Sequence, residues 1–304
     1  MEYRILPWIL VAGCSAVACI LWFFLADRRR NPDEKSLSLS GLILLLGILF
    51  GIIGARVLYV LFRINNVPLF GLKIKELSYY GGMAGVVLAV ILAARILGRR
   101  PLDVLNTFAP MGAFLAAMFR FAEGFLGTLG FGAYLESGVF FPVTVEVYYD
   151  EYYSEFYWAV FMLEGLFSLI AMVLSLVHGK EKGRFLRTLF YLCLPQVLCE
   201  SLRIQSIRWL FVRTEQLACF LLCEGVLVYY AVRQDPRRFR SWLPALEGLL
   251  VCGLVIVVEF ALENKISFGG KALPHWLLYA VMATGLASMA AAEHLGRKGL
   301  HAKQ

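Results

Sequence analysis

Arg120 and Glu123 stand three residues apart in an apolar run that begins near Phe108 and is otherwise free of charge. A trail of glycines follows them in the stretch MFRFAEGFLGTLGFG, 118–132. On a helix, residues i and i+3 share one face. The guanidinium and the carboxylate can therefore pair with each other, or they can together face a polar ligand. The elements that position them decide between these alternatives.

The composition is typical of an integral membrane protein. The chain of 304 residues is 60% hydrophobic and 17% charged, with a mean hydropathy of +0.71, whereas a soluble domain is about 45–50% apolar and about 25% charged. The seven cysteines lie in apolar runs without a CxxC pair, and no Cys/His cluster has metal-ligand spacing. We therefore expect no disulfide framework, no metal and no cofactor. All four histidines fall near segment ends or in the tail, so no intramembrane histidine is available as a general base.

Nine segments provide the roughly 20 mostly apolar residues that a spanning helix needs. They are 7–26, 38–62, 79–98, 104–126, 156–178, 187–202, 215–233, 242–262 and 274–293. Of the 29 lysines and arginines, 18 lie in the loops on one side and 9 in the loops on the other. The sequence therefore predicts an all-α polytopic membrane protein with its N-terminus outside and its C-terminus cytoplasmic. The basic loops account for the net charge of +7, so we expect no nucleic-acid partner.

Several charged residues are predicted to lie inside the spans, where burying one charge costs at least about 2.5–3.5 kcal/mol. They are Arg56, Arg120, Glu123, Glu164, Glu200, Glu224, Glu247 and Glu259. The two arginines need partners, and the first three of these glutamates are available. For the last three a structural role is favoured: Glu247 stands near a helix start, and Glu224 and Glu259 are expected to pair with a neighbouring arginine.

In the predicted orientation, the polar groups converge on the outer half of the bilayer. This set comprises Arg56, Arg120, Glu123, Glu200, Arg203 and the start of the third span, 79–82. Arginine has a planar fork that suits phosphate, and glycine permits close approach. The pattern indicates a site for an anionic phospholipid. The alternative is helix packing held together by Arg–Glu pairs.

The predicted outer loop 128–155 is acidic and rich in tyrosine. It contains Glu136, Glu146, Asp150, Glu151 and Glu155 with Tyr134, Tyr148, Tyr149, Tyr152 and Tyr153, and no lysine or arginine. It could form a substrate-facing lip, but an interfacial aromatic belt beside a solvated acidic loop is favoured.

Five stretches, in order and in spacing, resemble the prolipoprotein diacylglyceryl transferase family over about residues 5–233. They are GARVLYVLF (54–62), SYYGGMAGVVLAVILAAR (78–95), LDVLNTFAPMGAFLAAMFRFAEGFLG (102–127), LEG (163–165) and LCESLR (198–203). The resemblance implies a seven-helix membrane domain at 1–233, followed by two additional helices and a basic cytoplasmic tail at 234–304. It also implies a multi-pass location in the bacterial inner membrane.

The family transfers the diacylglyceryl group of phosphatidylglycerol to the lipobox cysteine of an exported prolipoprotein, and glycerol phosphate leaves. The resemblance therefore implies phosphatidylglycerol, a lipobox peptide and membrane lipids as partners. The catalytic residues that it implies are Arg120, Glu123, Tyr80 and Glu200. The lipid-binding residues that it implies are Arg56, Tyr59, Gly81, Gly82, Gln196 and Arg203.

Several positions depart from the family pattern, and three of them are among the implied site residues. Tyr80 stands where the family has a histidine, Glu123 replaces the signature asparagine, and Gln196 replaces an arginine. Two hypotheses follow: an active transferase with a remodelled site, or an altered or inactive relative that binds phospholipid or a protein in the outer half of the membrane. A small-molecule transporter is disfavoured, because no unwound Gly/Pro pair recurs in two matching halves.

Overall fold

The structure, a computed structural model, describes residues 4–32, 35–62, 76–149, 152–177, 183–204, 208–209, 212–263 and 273–301. Its helices are α1 (Ile5–Arg30), α2 (Lys35–Phe62), α3 (Tyr79–Ile96), α4 (Pro101–Glu123), α5 (Val160–Val177), α6 (Arg184–Leu202), α7 (Thr214–Gln234), α8 (Phe239–Leu262) and α9 (His275–His301). Within these ranges, nine helices are long and apolar enough to cross a membrane. The predicted polytopic helical fold is confirmed, and the side on which each terminus lies stays a prediction.

Every helix boundary except the end of α9 lies within four residues of the predicted one. Helix α5 begins at Val160 rather than at 156, because residues 154–158 pair into a sheet. Helix α9 continues to His301, beyond the predicted end at 293. The sixth span, the shortest predicted, is present as α6 although Pro195 lies within it.

The chain forms two compact units. Unit 1 comprises Met1–Thr188 and Arg203–Ile207, and unit 2 comprises Leu189–Leu202 and Arg208–Gln304. Unit 1 therefore holds α1–α5 and the first residues of α6, whereas unit 2 holds the rest of α6 with α7–α9. The predicted division at residue 233 concerns sequence regions and stays a prediction.

A buried carboxylate fixes the end of unit 1 at which α1 ends and α2 begins. Asp27 accepts hydrogen bonds from Ser36 Oγ at 2.7 Å and from Arg99 Nη1 at 3.0 Å. Nearby, Arg30 Nη1 donates to Thr107 Oγ1 of α4 at 2.8 Å. Because a buried polar group needs partners, these bonds hold the helix ends in one arrangement.

Helices α2 and α3 cross with their backbones in contact at glycine residues. A Cβ on Gly54 would lie 2.4 Å from the carbonyl oxygen of Gly81, and a Cβ on Gly85 would lie 2.0 Å from that of Phe50. Only residues without a side chain permit this approach. Ser78 caps α3 by accepting a hydrogen bond from the Gly81 N–H. The crossing therefore fixes where α3 begins.

A three-stranded antiparallel sheet that was not predicted lies between α4 and α5. Its strands are β1 (Tyr134–Leu135), β2 (Thr144–Tyr148) and β3 (Ser154–Trp158), in the order β1-β3-β2. Thr144 lies opposite Trp158 in the register of β2 and β3. A second sheet pairs β4 (Arg208–Trp209) with β5 (Val212–Arg213) in antiparallel fashion before α7 in unit 2.

The predicted tyrosine-rich loop forms this sheet and its turns. The five tyrosines named above are all more than half exposed. Glu155 accepts hydrogen bonds from the hydroxyls of Tyr153 and Tyr157, which lower the pKa of its carboxyl and raise the pKa of both tyrosines. Asp150 and Glu151 lie outside the described residues. Both interpretations of the loop stay predictions.

The glycine crossing gives a matched pair of substitutions on one helix. Gly54→Ala forces α2 and α3 apart and should lower the free energy of unfolding by about 1–3 kcal/mol. Gly51→Ala should be tolerated, because its Cβ would meet its nearest neighbour, a side-chain carbon of Val86, at 3.8 Å. Thermal unfolding in detergent measures both. Equal melting temperatures for the two variants would contradict the backbone contact.

Candidate functional site

Four charged side chains meet at one end of unit 1, where α3 and α5 begin and α4 ends. Arg120 and Glu123 lie in the last turn of α4, Glu164 lies near the start of α5, and Arg203 directly follows α6. A backbone bridge to Gly132 holds Arg203 in place. We call these four residues the ion cluster. Three of them, Arg120, Glu123 and Arg203, belong to the polar set that was predicted to converge, and Glu164 joins them as a partner acid.

Guanidinium and carboxylate groups alternate in the ion cluster. Arg120 Nη1 lies 2.8 Å from Glu123 Oε1, and Arg120 Nε lies 3.1 Å from Glu164 Oε2. Arg203 Nη2 donates to Glu123 Oε2 at 2.8 Å and to Glu164 Oε2, and its Nε donates to Glu164 Oε1 at 3.1 Å. The side chains of Arg120 and Glu164 are 1% and 0% exposed. Two positive and two negative charges balance, which makes their burial tolerable.

Aromatic rings cover the face of the Arg120 guanidinium. Its Cζ lies 3.6 Å from the ring centroid of Tyr79 and 5.4 Å from that of Tyr80. The Tyr79 hydroxyl in turn donates to the carbonyl of Ala116 at 3.4 Å. A cation stacked on an aromatic face away from water gains about 2 kcal/mol. Tyr79, which belongs to the predicted outer polar set but not to the implied catalytic residues, therefore contacts Arg120 more closely than Tyr80.

Two buried nitrogens of Arg120 make no hydrogen bond among the described residues; Nε is paired with Glu164 as an ion, and Nη2 is the other. Its Nη2 is buried and has no hydrogen-bond partner among the residues that the structure describes. A buried N–H without an acceptor costs about 1–3 kcal/mol, and more when the group is charged. The geometry therefore suits an acceptor, such as a phosphate oxygen, arriving at this nitrogen.

Glu123 is engaged at both carboxylate oxygens, one by Arg120 and the other by Arg203. Arg120 and Glu123 therefore pair with each other, which is the first of the two alternatives for these charges. The pair still leaves Arg120 Nη2 without an acceptor, so the second alternative, contact with a polar ligand, stays open for the arginine. A carboxylate that orients two guanidinium groups would have to give up a hydrogen bond to accept a proton. The geometry favours an orienting role for Glu123.

The prediction for the acid that pairs with Arg56 was wrong. Glu123, Glu164 and Glu200 were available in the sequence, but Arg56 Nη1 instead lies 2.8 Å from Glu76 Oε2 and 3.2 Å from the Glu76 carbonyl. Glu76 stands outside the predicted spans, so a search limited to intramembrane acids misses it.

The remaining lipid-binding candidates of unit 1 lie on α2 and α3. Tyr59 is buried on α2. Gly81 faces the α2 backbone, whereas a Cβ on Gly82 would meet only ordinary contacts at 3.6–3.7 Å. Their predicted roles stay predictions.

Glu200 and Gln196 lie in unit 2, one turn apart on α6, and both are buried. Their predicted roles also stay predictions. In the same unit, Glu259 of α8 pairs with Arg213 at 3.5 Å, which confirms the expected arginine partner. Glu224 packs its carboxylate against Gly248, and its Oε2 has no hydrogen-bond partner among the described residues.

Glu293 of α9 is a buried acid that the sequence pattern missed, because it stands at the last position of the predicted ninth span. Its carboxylate accepts hydrogen bonds from Tyr191 at 3.2 Å and from Tyr230 at 3.4 Å. Across the described ranges, no group of three or more His, Cys, Asp or Glu side chains could hold a metal ion.

Comparison with known proteins identifies a family to which this chain is similar. The model of a family described as prolipoprotein diacylglyceryl transferase matches residues 9–232. A phosphatidylglycerol–prolipoprotein diacylglyceryl transferase of Parasynechococcus marenigrum (strain WH8102) is 30% identical over 171 residues. That alignment covers 53% of this chain and 60% of the relative, so the chain spans less than two thirds of the relative's length.

The charge balance of the ion cluster predicts a large cost for removing one carboxylate. Glu164→Gln leaves two buried guanidinium groups with one carboxylate and should destabilise the protein by about 3–5 kcal/mol. Glu136→Gln removes an exposed carboxylate and should change stability little. Thermal unfolding in detergent compares the two variants, and a Glu164→Gln protein as stable as the wild type would contradict the charge-balance argument.

Proposed function

We propose, since the chain belongs to the prolipoprotein diacylglyceryl transferase family, that it transfers the diacylglyceryl group of phosphatidylglycerol to the lipobox cysteine of exported prolipoproteins. The multi-pass protein would act in the bacterial inner membrane. The positive-inside distribution of lysine and arginine supports an orientation with the ion cluster in the outer half of the bilayer.

In the proposed reaction, the cysteine sulfur attacks the diacylglyceryl carbon that is bonded to the phosphate oxygen. The new bond is a thioether, the carbon–oxygen bond breaks, and its electron pair leaves with glycerol phosphate. The proton of the thiol is transferred to the released glycerol phosphate, directly or through water, so that atoms and charge balance. Negative charge grows on the phosphate as the bond breaks, so a fixed cation at that phosphate lowers the barrier.

The observation that best supports this proposal is the buried, unpartnered Nη2 of Arg120. Two of the arginine's nitrogens are engaged by Glu123 and Glu164, and Tyr79 covers one face. The guanidinium is therefore held before any substrate arrives, which reduces the cost of ordering it. We propose that a phosphate oxygen accepts a hydrogen bond from this nitrogen.

The other residues of unit 1 receive supporting roles. Arg203 adds positive charge and, with Glu123, fixes the position of Arg120. We propose that the hydroxyl of Tyr80 hydrogen-bonds the substrate where the family uses a histidine, because a tyrosine of ordinary pKa about 10 is a poor base. Arg56, Tyr59, Gly81 and Gly82 are proposed to line the path of the lipid.

In unit 2, Glu200 and Gln196 keep the roles that the resemblance assigns to them. Glu200 is proposed as a catalytic acid residue on α6, and Gln196 as a neutral hydrogen-bond donor to the lipid where the family has an arginine. The buried positions of both side chains support this assignment.

A second candidate function is a relative that binds phospholipid without transferring it. The observation in its favour is that all four carboxylate oxygens of Glu123 and Glu164 already contact guanidinium groups. No carboxylate of the ion cluster is then free to take the thiol proton. The two functions share the phosphate site at Arg120 and differ in the fate of the thiol.

The decisive experiment incubates the purified protein with phosphatidylglycerol and a lipobox peptide and follows the peptide by mass spectrometry. The expected result is the mass of one added diacylglyceryl group, with release of glycerol phosphate. Arg120→Lys keeps the charge but loses the planar fork, so the rate should fall about 10²–10³-fold.

Arg238→Ala is the matched control, because this arginine is 74% exposed and pairs only with the nearby Asp235 among its described contacts. Its transfer rate should equal that of the wild type. Folded wild-type protein that binds phosphatidylglycerol but never modifies the peptide would reject transfer and support the second candidate.

A further inference from the structure

Helix α8 lies beyond residues 9–232, which match the family model, yet it supplies a carboxylate to a polar network of unit 2. Glu259 accepts hydrogen bonds from Gln216 Nε2 at 2.9 Å and from Ser201 Oγ, and it pairs with Arg213. Ser201 and Gln216 are 5% and 4% exposed. The carboxylate of Glu259 thus holds two buried polar groups and one cation.

The same donors reach the backbone at the end of α6. Gln216 Nε2 donates to the carbonyl of Val197 at 2.9 Å, and Arg213 Nη1 donates to the carbonyl of Glu200. The last carbonyls of a helix have no partner within the helix, so donors from elsewhere satisfy them. Arg213 performs this function for the carbonyl of Glu200. Gln216 adds a donor to the carbonyl of Val197, which lies before the last four residues of α6 and also accepts a hydrogen bond from Ser201 Oγ.

The two turns that contain Glu200 depend on outside donors more than an ordinary helix end does. Pro195 lies inside α6 and has no N–H, so the helix loses one hydrogen bond at that point. The segment 196–202 is therefore separated from the rest of α6 by a weakened turn. Its position is set by the side chains that bind its carbonyls.

We propose that Glu259 is a positioning residue for Glu200. It holds Ser201, Gln216 and Arg213 in the geometry that fixes the end of α6, and through them it fixes the acid that the family resemblance assigns to the reaction. The eighth helix thereby completes a part of the family domain. This inference rests on the proposed function, because Glu200 is assigned by that proposal.

The first arm of the test measures transfer by Glu259→Gln with the lipobox peptide. The rate constant kcat should fall roughly tenfold, the effect of losing one charge-assisted hydrogen bond, while KM for phosphatidylglycerol changes little. Glu259→Asp keeps the carboxylate and should recover part of kcat. Glu247→Gln, on the same helix, is the matched control and should behave as the wild type.

The second arm needs no activity. Cys199 precedes Glu200 and is 1% exposed, and Cys193 lies on the other side of Pro195 and is 5% exposed. N-ethylmaleimide labelling of the whole folded protein, followed by peptide mass spectrometry, compares the two cysteines. Glu259→Gln should raise the labelling rate of Cys199 roughly tenfold, as local opening becomes easier, and leave Cys193 unchanged.

The two arms separate the possible failures. Slower transfer together with faster labelling of Cys199 supports the inference, and unchanged labelling of Cys199 overturns it. A variant that labels faster at both cysteines has lost general stability, which also overturns a local positioning role. In a wild type that performs no transfer the proposed function fails, and the labelling of Cys199 alone then decides whether Glu259 fixes the end of α6.

Discussion

Unit 1 depends on one constraint: its buried positive and negative charges must balance, because an apolar interior does not solvate ions. Two arginines stay charged inside an apolar helix bundle because Glu123 and Glu164 meet them at hydrogen-bond distance. That meeting requires the end of α4, the start of α5 and the residue after α6 to come together. The glycine crossing of α2 and α3 fixes the start of α3, where Tyr79 and Tyr80 lie over Arg120. The ion pairs fix the end of α4, the start of α5 and Arg203 relative to one another, and the glycine contacts fix α3 against α2.

Hydropathy alone predicted most of the fold, because the thickness of a bilayer sets helix length and its interior excludes charge. All nine predicted spans are present in the described ranges. The pairing of Arg120 with Glu123 was also predictable, since helical geometry places residues i and i+3 on one face. Local rules suffice where both partners stand on one helix. The arginine partner expected for Glu259 is also present, but Arg213 lies on β5, before α7, so helix periodicity does not identify it.

Contacts between residues of different helices and loops could not be predicted from these local rules. Arg56 pairs with Glu76, which stands outside the spans and which a search among intramembrane acids never considers. Glu164 proves central only when α5 packs on α4, and Tyr79 rather than Tyr80 contacts Arg120 most closely. The sheet between α4 and α5 replaced one predicted helix turn, since aromatic and β-branched residues suit strands as well as membrane interfaces. In each case the sequence named the residue types and the packing selected the partners.

The stacking of Tyr79 on Arg120 has a stereochemical consequence. With one face covered by Tyr79 and with Nε and Nη1 paired to carboxylates, the guanidinium can bind a further acceptor through the in-plane N–H groups of Nη2. If a phosphodiester binds there as proposed, its two non-bridging oxygens would become inequivalent, because the protein surface around Arg120 is chiral and only one of them would accept the hydrogen bond from Nη2.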